Sequence, residues 1–272
     1  MNIKQEVNLI LSEIRRSRPL VHHLTNAVTI NDCANMTLAV GASPVMSTHA
    51  DEVAEVVRAS RALVLNIGMI SDLVEEAMHI AGAEAKKTGV PIVLDPVGAG
   101  ATRHRCEVAQ KLIANVHPTV IRGNVSEMRA LLGEISHARG VDASGTDDDG
   151  LGVAVRVAQT FGCIAALTGA RDIITDGKRY YRLQNGHTML TRVTGTGCMT
   201  NSLIASALAV TDNALAAAVA GVLIMGLAGE VAHKSLFGSA AVGAFRVKLF
   251  DAVFALSSIE IEQYAKIEQG EV

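Results

Sequence analysis

The sequence predicts an α/β fold in three layers, a mostly parallel central sheet with helices on both faces. Three observations carry this. Short β-like runs alternate with helical patterns along most of the chain, as βα units do. Several runs, "ALVL" and "VPIVL" among them, are apolar without interruption, which is how a strand buried on both faces reads. The chain has 272 residues, 49% apolar and 19% charged, enough for a large core.

The elements follow in order. "MNIKQEVNLILSEIRRSRPL" reads as an amphipathic helix with Val7, Ile10, Leu11 and Ile14 on one face. Its apolar stretch is too short and too charged for a signal peptide. "RPLVHHLT" is a strand before the helical "TINDCANMTLAV"; His22 and His23, adjacent on it, point to opposite faces. One is expected to be packed and hydrogen-bonded, the other solvated. "GASPVM" precedes "STHADEVAEVVRAS", with Ser47 or Thr48 placed to cap. "ALVLNIG" precedes "SDLVEEAMHIAGAEAKKTG", where Ser71 or Asp72 can cap and Gly89 can terminate. "VPIVLDPVGAG" leads to "RCEVAQKLIANV", and "PTVIRGN" to "SEMRALLG". The loop "VDASGTDDDG", with Asp147 to Asp149 solvated and Asp149 or a neighbour capping the next helix, leads to "LGVAVRVAQTFG" and the strand "CIAALTG". "DIITDGKRYYRLQNG" reads as an antiparallel hairpin at a sheet edge, turning at Asp176-Gly177. From Thr196 onward the pattern is all helical. No linker, repeat or low-complexity segment interrupts residues 1–272, so one domain is expected.

Composition excludes several classes. A net charge of −3 without a basic stripe, and 3% aromatics without Trp, leave neither an electrostatic footprint nor stacking platforms for nucleic acid. Cys33, Cys106, Cys163 and Cys198 form no CxxC pair and no zinc spacing, a pattern that fits free thiols in a reducing cytoplasm. The apolar run Ala214 to Gly229 is shorter than the roughly 20 residues that span a bilayer. It is expected to be a buried helix, its small residues allowing close approach of helices or subunits.

In an open parallel sheet, ligands bind beyond the carboxyl ends of the strands. The residues there are Thr25 and Asn26; Met46 and Ser47; Asn66 and Gly68; Asp95; Arg122, Gly123 and Asn124; Thr168 and Gly169. As a set they suit a phosphate and a cation. Asp95 can hold Mg²⁺ or cap the turn that follows it. Asn124 and Glu127 have capping-box spacing, and Glu127 can also bring a second carboxylate to the same cation. Arg122 has the fixed charge and donors that match phosphate oxygens, or makes a salt bridge. Met46 is either core packing or an adaptable apolar contact for a ligand.

"TRVTGTGCMTNSLIASALAV" carries the sharpest signal. "GTGCMT" lacks the third glycine of a dinucleotide fingerprint, and no Walker A motif exists. What remains is a turn, Gly195, Thr196, Gly197 and Cys198, whose amides open a long helix: an anion hole.

Together Asp95, "NVSE", Thr168-Gly169 and this turn resemble the ribokinase-like fold. "HHLTNAVTINDCANMTLAVGASPVM", "LDPVGAGATRHR" and "TGTGCMTNS" resemble, along essentially the whole chain, the hydroxyethylthiazole kinase family. The resemblance implies ATP-dependent phosphorylation of 5-(2-hydroxyethyl)-4-methylthiazole in thiamine salvage, with ATP as co-substrate and Mg²⁺ as cofactor. It implies nucleotide contacts at Arg122 and Thr168, thiazole contacts at Met46 and Gly195 with Asn26 near the pocket, and Mg²⁺ near Asp95 and Glu127. It also implies a homotrimer with active sites between subunits. Cys198 stands where sugar and pyrimidine kinases of this fold carry Asp. That departure argues against a hydroxymethylpyrimidine or pyridoxal kinase, or a dehydratase of hydrated nicotinamide nucleotides. A helix N-terminus lowers a thiol's pKa, so Cys198 is a candidate base; the alternatives are a thiol that shapes the pocket and a small buried apolar residue.

Overall fold

The computed structural model describes residues 2–134, 147–238 and 241–272. Six strands run parallel: β1 (Leu20–Leu24), β2 (Ser43–Val45), β3 (Ala62–Asn66), β4 (Ile92–Asp95), β5 (Val120–Gly123) and β6 (Ile164–Leu167). Three antiparallel strands extend the sheet: β7 (Asp172–Thr175), β8 (Arg179–Leu183) and β9 (Ile267–Glu271), giving the order β2-β1-β3-β4-β5-β6-β7-β8-β9. Pro44 is tolerated because β2 is an edge strand, where a missing N–H costs no interior ladder bond.

Helices cover both faces. On one side lie α1 (Ile3–Ser17), α2 (Ile30–Val40), α8 (Thr196–Leu208), α9 (Ala214–Lys234), α10 (Val242–Ala255) and α11 (Ser258–Tyr264). On the other lie α3 (Ala50–Ala59), α4 (Asp72–Thr88), α5 (Arg103–Val116), α6 (Val125–Leu131) and α7 (Asp147–Phe161). The uninterrupted apolar strands explain themselves here. Val64, Val93 and Val120 enter the first core, while Leu63, Leu65, Ile92, Leu94 and Ile121 enter the second. Val7, Ile10, Leu11 and Ile14 are buried as their spacing requires.

Caps follow the sequence at several helices and depart from it at one. Ser71 caps α4 through Val74 N, and Gly89 ends it in the left-handed region. Asn124 and Glu127 form a full capping box on α6. α3 is instead capped by His49, whose ring accepts from Asp51 N. Thr48 lies one position too early, and Ser47 Oγ donates to Glu52 Oε1 at 2.5 Å instead.

Three further expectations are corrected. The chain after Thr196 is not all helical: β9 pairs outside β8, so the 172–183 hairpin lies inside the sheet and β9 forms its edge. A five-residue, charged, half-exposed strand carries no periodic signal of its own; its partner defines it. Asp147 to Asp149 open α7 instead of forming a loop, since acidic residues favour a helix's first turn; residues 141–146 of that loop lie outside the described residues. His22 and His23 are both buried, neither solvated, because helices cover both faces of β1. The apolar run from Ala214 lies, as expected, in a buried helix, the 21-residue α9. By length and composition it would cross a membrane, yet 83% of its apolar window is buried, against α8 and α10.

Candidate active site

The strand ends converge on the N-terminus of α8. Asp95 closes β4 and Asn66 closes β3, and the parallel register sets the two side by side. Asn66 Nδ2 donates to Asp95 Oδ2 at 2.7 Å. Asn201, on α8 three residues beyond Cys198, donates to the same oxygen at 2.5 Å. Asn26 lies in the turn after β1. Its Oδ1 accepts from Thr29 N and Thr29 Oγ1, which turns its Nδ2 toward Asn66 Oδ1 at 2.9 Å and Cys198 Sγ at 3.6 Å. Asn66 also donates to Cys198 Sγ at 3.3 Å.

The turn itself needs its glycines. Gly195 has φ +83°, and a Cβ there would collide with Thr29. A Cβ at Gly197 would collide with the Arg122 guanidinium. No side chain caps α8, so its first-turn amides are left for a ligand beside that guanidinium. Arg122 Nη2 donates to Thr168 Oγ1 at 2.5 Å, and its Nη1 stands 4.0 Å from Asp95 Oδ2. Three buried polar atoms without a protein partner gather at this point: Asp95 Oδ1, Asn201 Oδ1 and Arg122 Nε. Unmet buried groups of this kind mark a place where a ligand completes the bonding.

Electrostatics sharpen the picture. Burial pushes the Asp95 carboxyl up to about 7; nearby Arg122 opposes the rise, Glu127 adds to it, and the Asn201 and Asn66 amides oppose it. A carboxylate this costly to ionise calls for a cation, and its unpartnered Oδ1 is a ready ligand. Glu127 fits the cation less directly. Its Oε2 accepts from Asn124 N and its Oε1 from Gly98 N, both at 2.8 Å, so both oxygens already hold backbone. No group of three or more potential ligands gathers among the described residues. Asp95, with its unpartnered oxygen, therefore fits a cation better than Glu127, whose two oxygens are engaged.

Cys198 departs from expectation. Burial and the nearby Asp95 carboxylate push its thiol up, against contacts from Thr29, Asn66 and Asn26 that lower it. The helix N-terminus does not yield a lowered thiol here, because Sγ is largely removed from water beside a negative group. Burial likewise pushes Cys33 and Cys163 up to about 12. Met46 follows β2 and is half-buried.

Two groups escaped the sequence reading. Asn201 is a fully buried polar residue in an apolar helix, spaced i+3 from Cys198, and that contrast was its signal. Arg105 Nη1 donates to Ile67 O and Val97 O and its Nη2 to Gly68 O, at 2.8 to 2.9 Å, tying together the loops after β3 and β4. A cavity of about 1090 Å³ opens at the opposite end of the strands, lined by Arg18, Ser60, Gly89, His117 and Ala209 among others. Those five are the C-caps of α1, α3, α4, α5 and α8. Helix carboxyl ends disfavour phosphate, so the anion site belongs at the α8 end.

The model of the Hydroxyethylthiazole kinase family matches residues 11–259. A hydroxyethylthiazole kinase of Alkaliphilus metalliredigens is 46% identical over 253 residues, 93% of each chain. The solved structure of hydroxyethylthiazole kinase protein from Pyrococcus horikoshii OT3 is similar at a TM-score of 0.90 and 37% identity, covering 98% of this chain and 100% of that one. A pyridoxal kinase from Staphylococcus aureus, solved with pyridoxal, shares the fold at a TM-score of 0.61 and 15% identity, over 93% of this chain and 99% of that one.

Proposed function

The chain belongs to the hydroxyethylthiazole kinase family, with its ribokinase-like fold, and from that premise we propose how its residues divide the work. The reaction is ATP-dependent phosphorylation of the primary alcohol of 5-(2-hydroxyethyl)-4-methylthiazole, which supplies the thiazole phosphate for thiamine. The observation that carries the assignment of roles is the uncapped N-terminus of α8 facing Arg122, with Asp95 Oδ1, Asn201 Oδ1 and Arg122 Nε unpartnered around it.

The alcohol lies against Gly195 and Cys198, with Met46 on the thiazole ring and Asn26 at the pocket wall. Arg122 and Thr168 hold the ATP phosphates. The alcohol oxygen attacks the γ-phosphorus in line, the bond to the β-phosphate oxygen breaks, and ADP leaves. Arg122 and the amides of residues 195–198 meet the negative charge on the moving group. Asp95 would hold Mg²⁺, with Glu127 at longer range, and the bound ion would supply neutralising charge for the phosphate oxygens. The raised thiol of Cys198 supports a pocket-shaping part, with the alcohol proton passing to phosphate. Positioning supplies most of the rate in this chemistry, so a weak base is no obstacle.

Residues 1–272 act as one kinase domain. The working form is a homotrimer in the cytoplasm, with active sites between subunits. In support, exposed Val28 and Met69 lie on the loops after β1 and β3 and exposed Leu73 in the first turn of α4, apolar groups a neighbouring subunit would cover, and all four cysteines are free. An ADP-release assay across the thiazole alcohol, hydroxymethylpyrimidine and pyridoxal tests the substrate. Turnover of the thiazole alcohol is expected, and preference for either of the others would refute the reading. Light scattering tests the trimer: three times the 28.5 kDa chain mass is expected, and a single chain mass refutes it.

A further inference from the structure

We propose that Asn66 is a positioning residue for the phosphoryl transfer, one carboxamide that holds the Asp95 carboxylate and the Cys198 thiol in a fixed mutual geometry. The proposal rests on the kinase reading above. Among the three asparagines of the polar network, Asn26 touches the sulfur and Asn201 touches the carboxylate, but Asn66 touches both.

Its orientation is determined without ambiguity. Oδ1 accepts from Gly68 N and Asn26 Nδ2, each at 2.9 Å, and Nδ2 donates to Asp95 Oδ2 and Cys198 Sγ. Reversing the amide would face oxygen against carboxylate and NH₂ against the Gly68 N–H, losing bonds on both sides. All four of its hydrogen-bonding positions are used, and the side chain is 1% exposed.

Two consequences follow. Asp95 Oδ2 accepts from the Asn66 and Asn201 amides, which fixes the carboxylate's orientation and leaves Oδ1 without a protein partner. Cys198 Sγ accepts from Asn66 and Asn26, so its own proton points away from them. Asn66 thereby links the two ends of the reaction, the side that binds the nucleotide phosphates and the side that holds the alcohol. It sits on a rigid strand end, in register with Asp95, and displacements of about 1 Å at such a point cost about 100-fold in rate.

The test compares Asn66→Ala and Asn66→Asp with the wild-type chain. Asn66→Asp keeps the acceptor side toward Gly68 and Asn26 and loses both donors; Asn66→Ala carries the test should paired carboxylates prevent folding. Steady-state kinetics with ATP and the thiazole alcohol, calorimetric binding of a non-hydrolysable ATP analogue, and thermal melting are read together. The expected result is a kcat lowered about 100-fold, with the alcohol KM and the analogue Kd each within about threefold of wild type. A kcat within about threefold of wild type overturns the proposal. So does a parallel loss of kcat, KM, Kd and melting temperature, the mark of a plain scaffold residue. Absence of wild-type turnover would overturn the kinase reading beneath it, and shows in the same assay before any variant is compared.

Discussion

Asp95→Asn should make the metal-free protein more stable at pH 8 while abolishing its turnover. Asp95 is 1% exposed, and its carboxyl is pushed from 3.8 up to about 7, chiefly by burial. An acid whose folded pKa is raised keeps its proton in the native chain where the unfolded chain has lost it. Native stability therefore falls as pH rises from about 4 to about 7 and is level above that. At 1.36 kcal/mol per pH unit, the penalty is about 1–2 kcal/mol at pH 5 and on the order of 4 kcal/mol at pH 8. Asparagine has the same shape. Its Oδ1 can accept from Asn66 and Asn201 as Asp95 Oδ2 does now, and it carries no charge to bury. Urea unfolding of both proteins with chelator present, at pH 5 and pH 8, gives a double difference in which every other titrating group cancels. The wild-type minus variant stability should become more unfavourable by about 3 kcal/mol between the two pH values. A difference flat to within about 0.5 kcal/mol would show that Asp95 ionises freely in the folded chain, and would refute the reasoning. The trade of stability for a charged, ligand-ready carboxylate is common at active sites.

Three further outcomes are expected. Arg122→Ala, which removes the charge beside the α8 amides and the bond to Thr168, should lower kcat/KM for ATP by about 100- to 1,000-fold; unchanged kcat and ATP KM would exclude the phosphate role. Cys198→Ala should keep kcat within about tenfold between pH 7 and 8, because a thiol pushed upward is protonated there, whereas a loss beyond about 1,000-fold would restore it as the base. Phe245→Ala, at a fully buried position on α10, should destabilise the fold by about 3–5 kcal/mol in urea titration, and a cost below about 1 kcal/mol would show that the core collapses around the gap.

The sequence by itself determined whatever depends on neighbours a few residues apart. Apolar runs on β3 and β4 declared a sheet covered on both faces, and the i, i+3 spacing of Asn124 and Glu127 declared a capping box. The glycines at 195 and 197 declared a turn that opens a helix. Long motifs carried the family resemblance on top of this.

Tertiary structure alone decided how those pieces meet. Asn66 reaches Cys198 across 132 residues and Asn201 reaches Asp95 across 106, and no local pattern encodes such a bond. The burial of both His22 and His23, the pairing of β9 with β8, and the bond from the Gly98 amide to Glu127 Oε1 are of the same kind. The direction of the Cys198 thiol also belongs there. A helix N-terminus is visible in sequence, but the burial and the Asp95 charge that outweigh it exist only once the chain has folded.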